Sequence, residues 1–199
     1  MNKVISKIQD IFSSHQLDNL NVIAVTGKMA SGKNYVCSQF EKLGWASVDA
    51  DLLVHVAIDQ AAEKITQTFS GFAAEVGILL TKPQGKIDRR ALGQLLFARP
   101  DLMKKQEEIV YPIITKMVED FIAENKKVII NATVLYKTPE ILAKCQKIIY
   151  VKAPTLKRFF RAKKRDGLPV KQIIRRFMSQ KNLYREYKIT KIPIIIIKN

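Results

Sequence analysis

The segment Gly27-Lys-Met-Ala-Ser-Gly32-Lys33 fits the spacing G-x-x-x-x-G-K, and its residue types suit phosphate. Glycines let backbone amides close around an anion, a following helix N-terminus adds N–H donors, and the lysine neutralises β- and γ-phosphoryl oxygens. The nucleotide-phosphate candidates are Gly27, Lys28, Met29, Ala30, Ser31, Gly32, Lys33, Asn34 and Tyr35. Asn34 stands where a Ser or Thr hydroxyl would ligate magnesium. Its amide oxygen is also a hard donor but has a different reach, so ATP and Mg2+ are expected with Asn34 as an unusual metal ligand.

Asp49 and Asp51 supply the next chemistry. Two residues apart in extended chain, they would point the same way, and at the carboxyl end of a parallel strand they would face the phosphate loop. A base for a hydroxyl, or a magnesium-binding group, belongs there. The plainer alternative is that Asp51, ahead of Leu52 and Leu53, caps a helix. Between Lys152 and Lys181 there are 11 Lys or Arg and a single acid, Asp166. Arg158, Arg161 and Arg165 in this run share one helical face, which suits an arginine lid over ATP. Asp88-Arg89-Arg90 forms a second basic cluster that would hold a phosphorylated second substrate.

The elements that must position these groups are legible in outline. Residues 1–20 show Val4, Ile5, Ile8, Ile11 and Phe12 at helical spacing, an amphipathic helix for the edge of a core. Asn21–Thr26 is a short apolar, β-branched run ending at Gly27, as expected of a fully buried strand. A helix over Lys33–Leu43 stops at Gly44, and Trp45–Val48 is a second strand. Residues 52–125 are mostly helical in pattern, broken by the turn-rich Thr81-Lys-Pro-Gln-Gly85. Lys127–Asn131, Lys147–Val151 and Ile192–Ile197 complete about five strands. Strands alternating with helices predict an α/β fold, a parallel sheet covered on both faces. The expectation is one domain over 1–199, with a helical acceptor-binding insertion at about 52–125 and a lid at about 155–181.

Composition narrows the partners. The 199 residues carry 34 Lys or Arg against 18 Asp or Glu, a net charge of +16. Residues 1–100 contribute 11 basic and 9 acidic side chains, so +14 of that excess falls in residues 101–199. Such an excess points to a polyanionic ligand. Cys37 and Cys145 are far apart, and His15 and His55 are the only histidines, which excludes a disulfide framework and a histidine-rich metal site. The apolar run Ile194–Ile197 is too short to span a bilayer, and the N-terminus lacks a signal-peptide pattern. A soluble cytoplasmic protein is expected.

Together these landmarks resemble the dephospho-CoA kinase family, from about Val22 to Asn199. Val25–Lys33 is similar to its T-G-G-x-x-x-G-K loop, Val48-Asp-Ala-Asp51 to its D-A-D motif, and Gly85–Gly93 with Phe97 to its G-x-L-x-R-x-x-L-x-x-x-x-F segment. Arg161–Asp166 resembles the lid pattern R-x-x-x-R-D, followed by Gln180. Lys28, Asn34 and Tyr111 replace the usual Gly, Ser and His, and Asn131–Leu135 covers a Pro-Leu-Leu segment. The chain has about twenty residues ahead of the family's start and stops at Asn199, before the C-terminal helix such enzymes carry.

The resemblance implies a P-loop kinase fold and transfer of the γ-phosphoryl of ATP to the ribose 3′-hydroxyl of dephospho-CoA. It makes Asp51, Lys33, Arg161 and Arg165 catalytic, puts Thr26, Asp49, Asp51 and Arg89 at the acceptor, and implies a monomer or weak homo-oligomer. No specific nucleic-acid or membrane partner is implied. Another nucleoside or nucleoside-monophosphate kinase would share the loop and lid. A catalytically weakened homologue or a basic nucleic-acid binder would also carry the charge, although no nucleic-acid module is recognisable.

Overall fold

Five short runs rich in β-branched residues pair in parallel into one sheet in the computed structural model. The structure describes residues 3–83 and 85–199. Met1, Asn2 and Gln84 lie outside the described residues, and with them the first two positions expected of the N-terminal helix and one position of the Thr81–Gly85 turn. The strands are β1 (Val22–Thr26), β2 (Ala46–Asp49), β3 (Val128–Asn131), β4 (Lys147–Lys152) and β5 (Ile194–Lys198), in the order β2-β3-β1-β4-β5. All residues of β1 and β3 are buried, which is why both read as unbroken apolar runs and not as alternating ones. β5 starts at Ile194, later than expected at Ile192; Pro193 has no N–H for a ladder, but its carbonyl accepts from Ile148 N.

The chain divides into two compact units, Met1–Asp49 with Val118–Asn199, and Ala50–Met117. The first holds the sheet. Its helices are α1 (Lys3–Ser13) and α2 (Lys33–Glu41), with others set out below. α1 ends at Ser13, not near residue 20, because the chain turns there and His15 and Asn19 take positive φ angles of 56° and 61°. Val4, Ile8 and Ile11 of α1 are buried with Phe40, Trp45 and Ile197 in one apolar cluster. Phe12 tilts against Phe40 at 5.6 Å, and Phe40 meets Trp45 edge-on at 6.2 Å.

The second unit is helical: α3 (Ala50–Gln60), α4 (Ala62–Glu75), α5 (Arg89–Ala98) and most of α6 (Met103–Glu124). Ile65, Phe69, Leu92, Leu95 and Leu102 are its fully buried side chains of greatest bulk. Asp88 caps α5, accepting from Arg90 N at 2.9 Å and Ala91 N at 3.1 Å, a local duty that reading Asp88-Arg89-Arg90 as a basic cluster had hidden.

Beyond α6 the first unit continues with α7 (Pro139–Ala143), α8 (Thr155–Asp166), α9 (Val170–Ser179) and α10 (Leu183–Ile189). Gly167, at φ 61°, ends α8 in the left-handed conformation. Among the described residues no helix is long and apolar enough to cross a membrane.

Candidate active site

The carboxyl ends of all five strands converge in function because a parallel sheet puts them on one edge, and ligands gather where the strand order reverses, here beside β1. Residues 27–33 form the loop between β1 and α2. Gly27 and Gly32 have φ angles of 155° and 97°. A Cβ on Gly27 would run into the Val151 carbonyl oxygen and lie 2.7 Å from Ser31 Oγ; one on Gly32 would strike the Asn199 side chain. Gly27 is therefore required on conformation and on space, and Gly32 on conformation, since the Asn199 side chain could swing aside.

A cavity of about 1420 Å³ opens on this loop. Ala30, Ser31, Gly32, Lys33, Asn34 and Tyr35 line it; Gly27, Lys28 and Met29 do not. Its other walls are Lys3 and Val4 of α1, residues 152–154 after β4, Lys157, Arg161, Lys164 and Arg165 of α8, and Lys198 and Asn199. That makes eight basic side chains and no acidic side chain among the lining residues, a field suited to a triphosphate.

The individual side chains are held in place by bonds from distant elements. Lys33 Nζ donates to Thr133 Oγ1 at 2.9 Å. The Thr133 carbonyl accepts from the Thr26 hydroxyl at 3.2 Å and the Tyr187 hydroxyl at 3.0 Å. Thr26 is thus fully buried and spends its donor on the backbone. Arg161 Nη2 donates to Asn199 Oδ1 at 3.1 Å, and Asn199 Nδ2 donates to the Ser31 carbonyl at 2.9 Å. Arg165 forks onto Asp166 through Nε at 2.6 Å and Nη2 at 3.0 Å. That hydrogen bond first, then the charges of Arg165 and Arg176, holds the Asp166 carboxyl below its ordinary range. Arg158, expected on the same face as Arg161 and Arg165, is instead buried, with Nε on the Met29 carbonyl at 2.8 Å. Gln180 completes the clasp on Met29, its Oε1 accepting from the Met29 amide at 2.6 Å.

The two aspartates separate. Asp49 is the last residue of β2, and α3 begins at once with Ala50, so Asp51 lies in the first turn of a helix and not two residues along a strand. The two do not project together from an extended chain; Asp49 belongs to the first unit and the exposed Asp51 to the second. Arg89, also in the second unit, opens α5 with Asp59 at 3.7 Å. What Asp49 meets is Asn131. Register pairs Asp49 with Asn131 across β2 and β3, and Asn131 Nδ2 donates both to Asp49 Oδ2 at 3.1 Å and to Asn34 Oδ1 at 3.0 Å. Asn131 is 2% exposed and its Oδ1 has no partner. Asn131, Thr133 and Asn199 were not singled out from sequence as site residues. The available signal was position: each is polar and lies at or just past the carboxyl end of an apolar strand.

Comparison with known proteins adds the family. A family model described as dephospho-CoA kinase matches residues 21–199. A dephospho-CoA kinase from Treponema denticola is 33% identical over 184 residues, covering 89% of this chain and 82% of that protein. One from Bacillus licheniformis is 33% identical over 176 residues, covering 84% and 83%. A solved Campylobacter jejuni dephospho-CoA kinase superposes with a TM-score of 0.58 at 28% identity, covering 90% of this chain and 88% of that one. A Thermus thermophilus structure shares the fold, with a TM-score of 0.72 at 23% identity and coverage of 90% and 88%.

Proposed function

The chain belongs to the dephospho-CoA kinase family, an ATP-dependent phosphotransferase of coenzyme A synthesis with the P-loop kinase fold, and on that premise we propose how its residues divide the reaction. The observation that carries the proposal is the cavity, lined by basic and by no acidic side chains, in which Lys33, Arg161 and Arg165 meet the phosphate loop. ATP would lie there, its β- and γ-phosphates against the loop amides and Lys33. The ribose 3′-hydroxyl of dephospho-CoA attacks the γ-phosphorus, the bond to the β–γ bridging oxygen breaks, and ADP leaves. Asp51 takes the hydroxyl proton. Arg161 and Arg165 neutralise charge that spreads over the equatorial oxygens. Asp49 and Arg89 serve the acceptor side, with Thr26 bracing the Thr133 carbonyl from beneath, residues 52–125 as the acceptor-binding insertion and 155–181 as a lid that excludes water.

Magnesium fits the residues present. Asn34 Oδ1 and Asp49 Oδ2 converge on Asn131 Nδ2, and the buried Asn131 Oδ1 lacks a partner, so turning that amide over would set a third oxygen beside the other two. Asn34 and Asp49 would hold the cation, with Asn131 joining them in the turned amide; when bound it neutralises phosphate charge. A cytoplasmic location and a monomeric or weakly associating state belong to the same reading, since both substrates are small soluble molecules.

The test is ADP release in the presence of dephospho-CoA, adenosine or nucleoside monophosphates, with Asp51→Asn and Lys33→Ala. Dephospho-CoA alone should stimulate release strongly. Asp51→Asn should lose about 10²–10⁴-fold in turnover while keeping ATP affinity, as removal of a positioned base does. Lys33→Ala should lose both. Equal stimulation by a monophosphate would overturn the acceptor assignment, and Asp51→Asn above about a tenth of normal turnover would make Asp51 a helix residue only.

A further inference from the structure

A second cavity, of about 330 Å³, lies on the other flank of the phosphate loop, bordered chiefly by Lys28, Ser31, Lys152, Thr155, Arg158 and Tyr184. Lys33 and Arg161 do not line it, and Lys28 and Arg158 do not line the larger cavity; Ser31, Lys152 and Ala153 form the wall between the two and line both. Three cations meet here, and the lining residues include no carboxylate.

The cations lean on groups that leave donors to spare. Arg158 is 5% exposed; its guanidinium sits 4.2 Å from the Phe177 ring centre, and its buried Nη2 has no partner. Lys152 Nζ lies 4.6 Å over the Tyr184 ring, and Lys28 Nζ donates to the Lys181 carbonyl at 3.1 Å. Ser31 Oγ is buried without a partner as well. α8 starts at Thr155 after Pro154, with no side-chain cap on its N-terminal amides. Burial first, then the charges of Arg158 and Lys152, holds the Lys28 ammonium below its ordinary range. An anion would relieve that mutual repulsion, and the volume suits a small ligand.

We propose that this cavity is a second oxyanion site, taking inorganic phosphate or the terminal phosphoryl group of a phosphomonoester. The planar Arg158 fork and the α8 N-terminus both match phosphate oxygens. A bound anion would tie Lys28 in the loop to Arg158, one turn before Arg161 on α8. The proposal does not depend on which acceptor the larger site phosphorylates.

The experiment uses the full chain saturated with the magnesium complex of β,γ-imido-ATP, which fills the loop's own phosphate positions. Inorganic phosphate and glycerol 3-phosphate are titrated at constant ionic strength against chloride, by calorimetry and by melting temperature. A saturable response to either is expected; tighter binding of the ester would make the ligand a phosphomonoester, tighter binding of phosphate the free anion. Lys28→Met should weaken the response by about tenfold or more, the loss of one charge-assisted contact, while Lys157→Met, which changes a cation of the larger cavity alone, should retain it. Folding is checked by the unliganded melt, and saturation with the nucleotide analogue is confirmed for each variant. No saturable response beyond chloride, a response unchanged in Lys28→Met, or one lost in Lys157→Met would overturn the proposal.

Discussion

Replacing Asn131 by Asp sets a second carboxylate beside Asp49, and the structure sets the size of the effect. Asn131 Nδ2 now donates to Asp49 Oδ2 at 3.1 Å and to Asn34 Oδ1 at 3.0 Å. The variant turns that donor into an acceptor facing two acceptors. Two carboxylate charges with centres about 4 Å apart repel by ~4 kcal/mol at an effective dielectric near 20. Taking up a proton is no cheaper: keeping a carboxyl of ordinary pKa protonated at pH 7 also costs ~4 kcal/mol. Asp49 is only partly buried, so a loss of about 2–4 kcal/mol is expected in EDTA. The Asn34 amide can turn to donate and recover one lost bond. Urea unfolding with EDTA and with millimolar Mg2+ reads the effect. Magnesium should restore Asn131→Asp by about 2 kcal/mol or more, since ligand at about a hundred times its Kd contributes that much, and should stabilise the parent protein less, because its site has one carboxylate fewer. The sign with pH is also set. The new carboxyl has a raised folded-state pKa, so the penalty is absent below the unfolded value near 4 and grows as pH rises toward the folded one. A variant as stable as its parent in EDTA at pH 7, or one indifferent to magnesium, would refute the reasoning.

Two further outcomes are expected. Ile11→Ala in α1 removes a side chain with 0% exposure and should cost about 2–5 kcal/mol in a thermal melt; a loss below about 1 kcal/mol would mean that α1 is not part of the core. Cys37 and Cys145 are buried, and burial pushes each thiol up to about 12. Neither should react with a thiol-specific disulfide reagent at pH 8 until urea unfolds the chain, and a fast native reaction by either would contradict the packing.

Local pattern determined much of this protein. The phosphate loop, its flanking strand and helix, the buried strands and the stop at Gly44 are properties of neighbours in sequence, where periodicity and φ preference act directly. The basic excess, and hence a polyanionic ligand, is likewise a sum over residues. Tertiary structure decided which side chains share a site. Helical spacing put Arg158, Arg161 and Arg165 on one face, but it could not say that Arg158 would be drawn under the loop to the Met29 carbonyl while the other two line the cavity. Strand spacing aligned Asp49 with Asp51, but α3 begins at Ala50 and takes Asp51 into its first turn, so the alternation of an extended chain does not hold there. Asp49 and Asn131, 82 positions apart, meet through the parallel register of β2 and β3, and Asn34, 97 positions from Asn131, joins them because α2 starts at the same edge of the sheet after β1. Asn199 reaches Ser31 from 168 residues away because β5 adds to the edge of β4. Such contacts depend on which elements become neighbours, and that choice is made by burial of the whole sheet, beyond the reach of any local window.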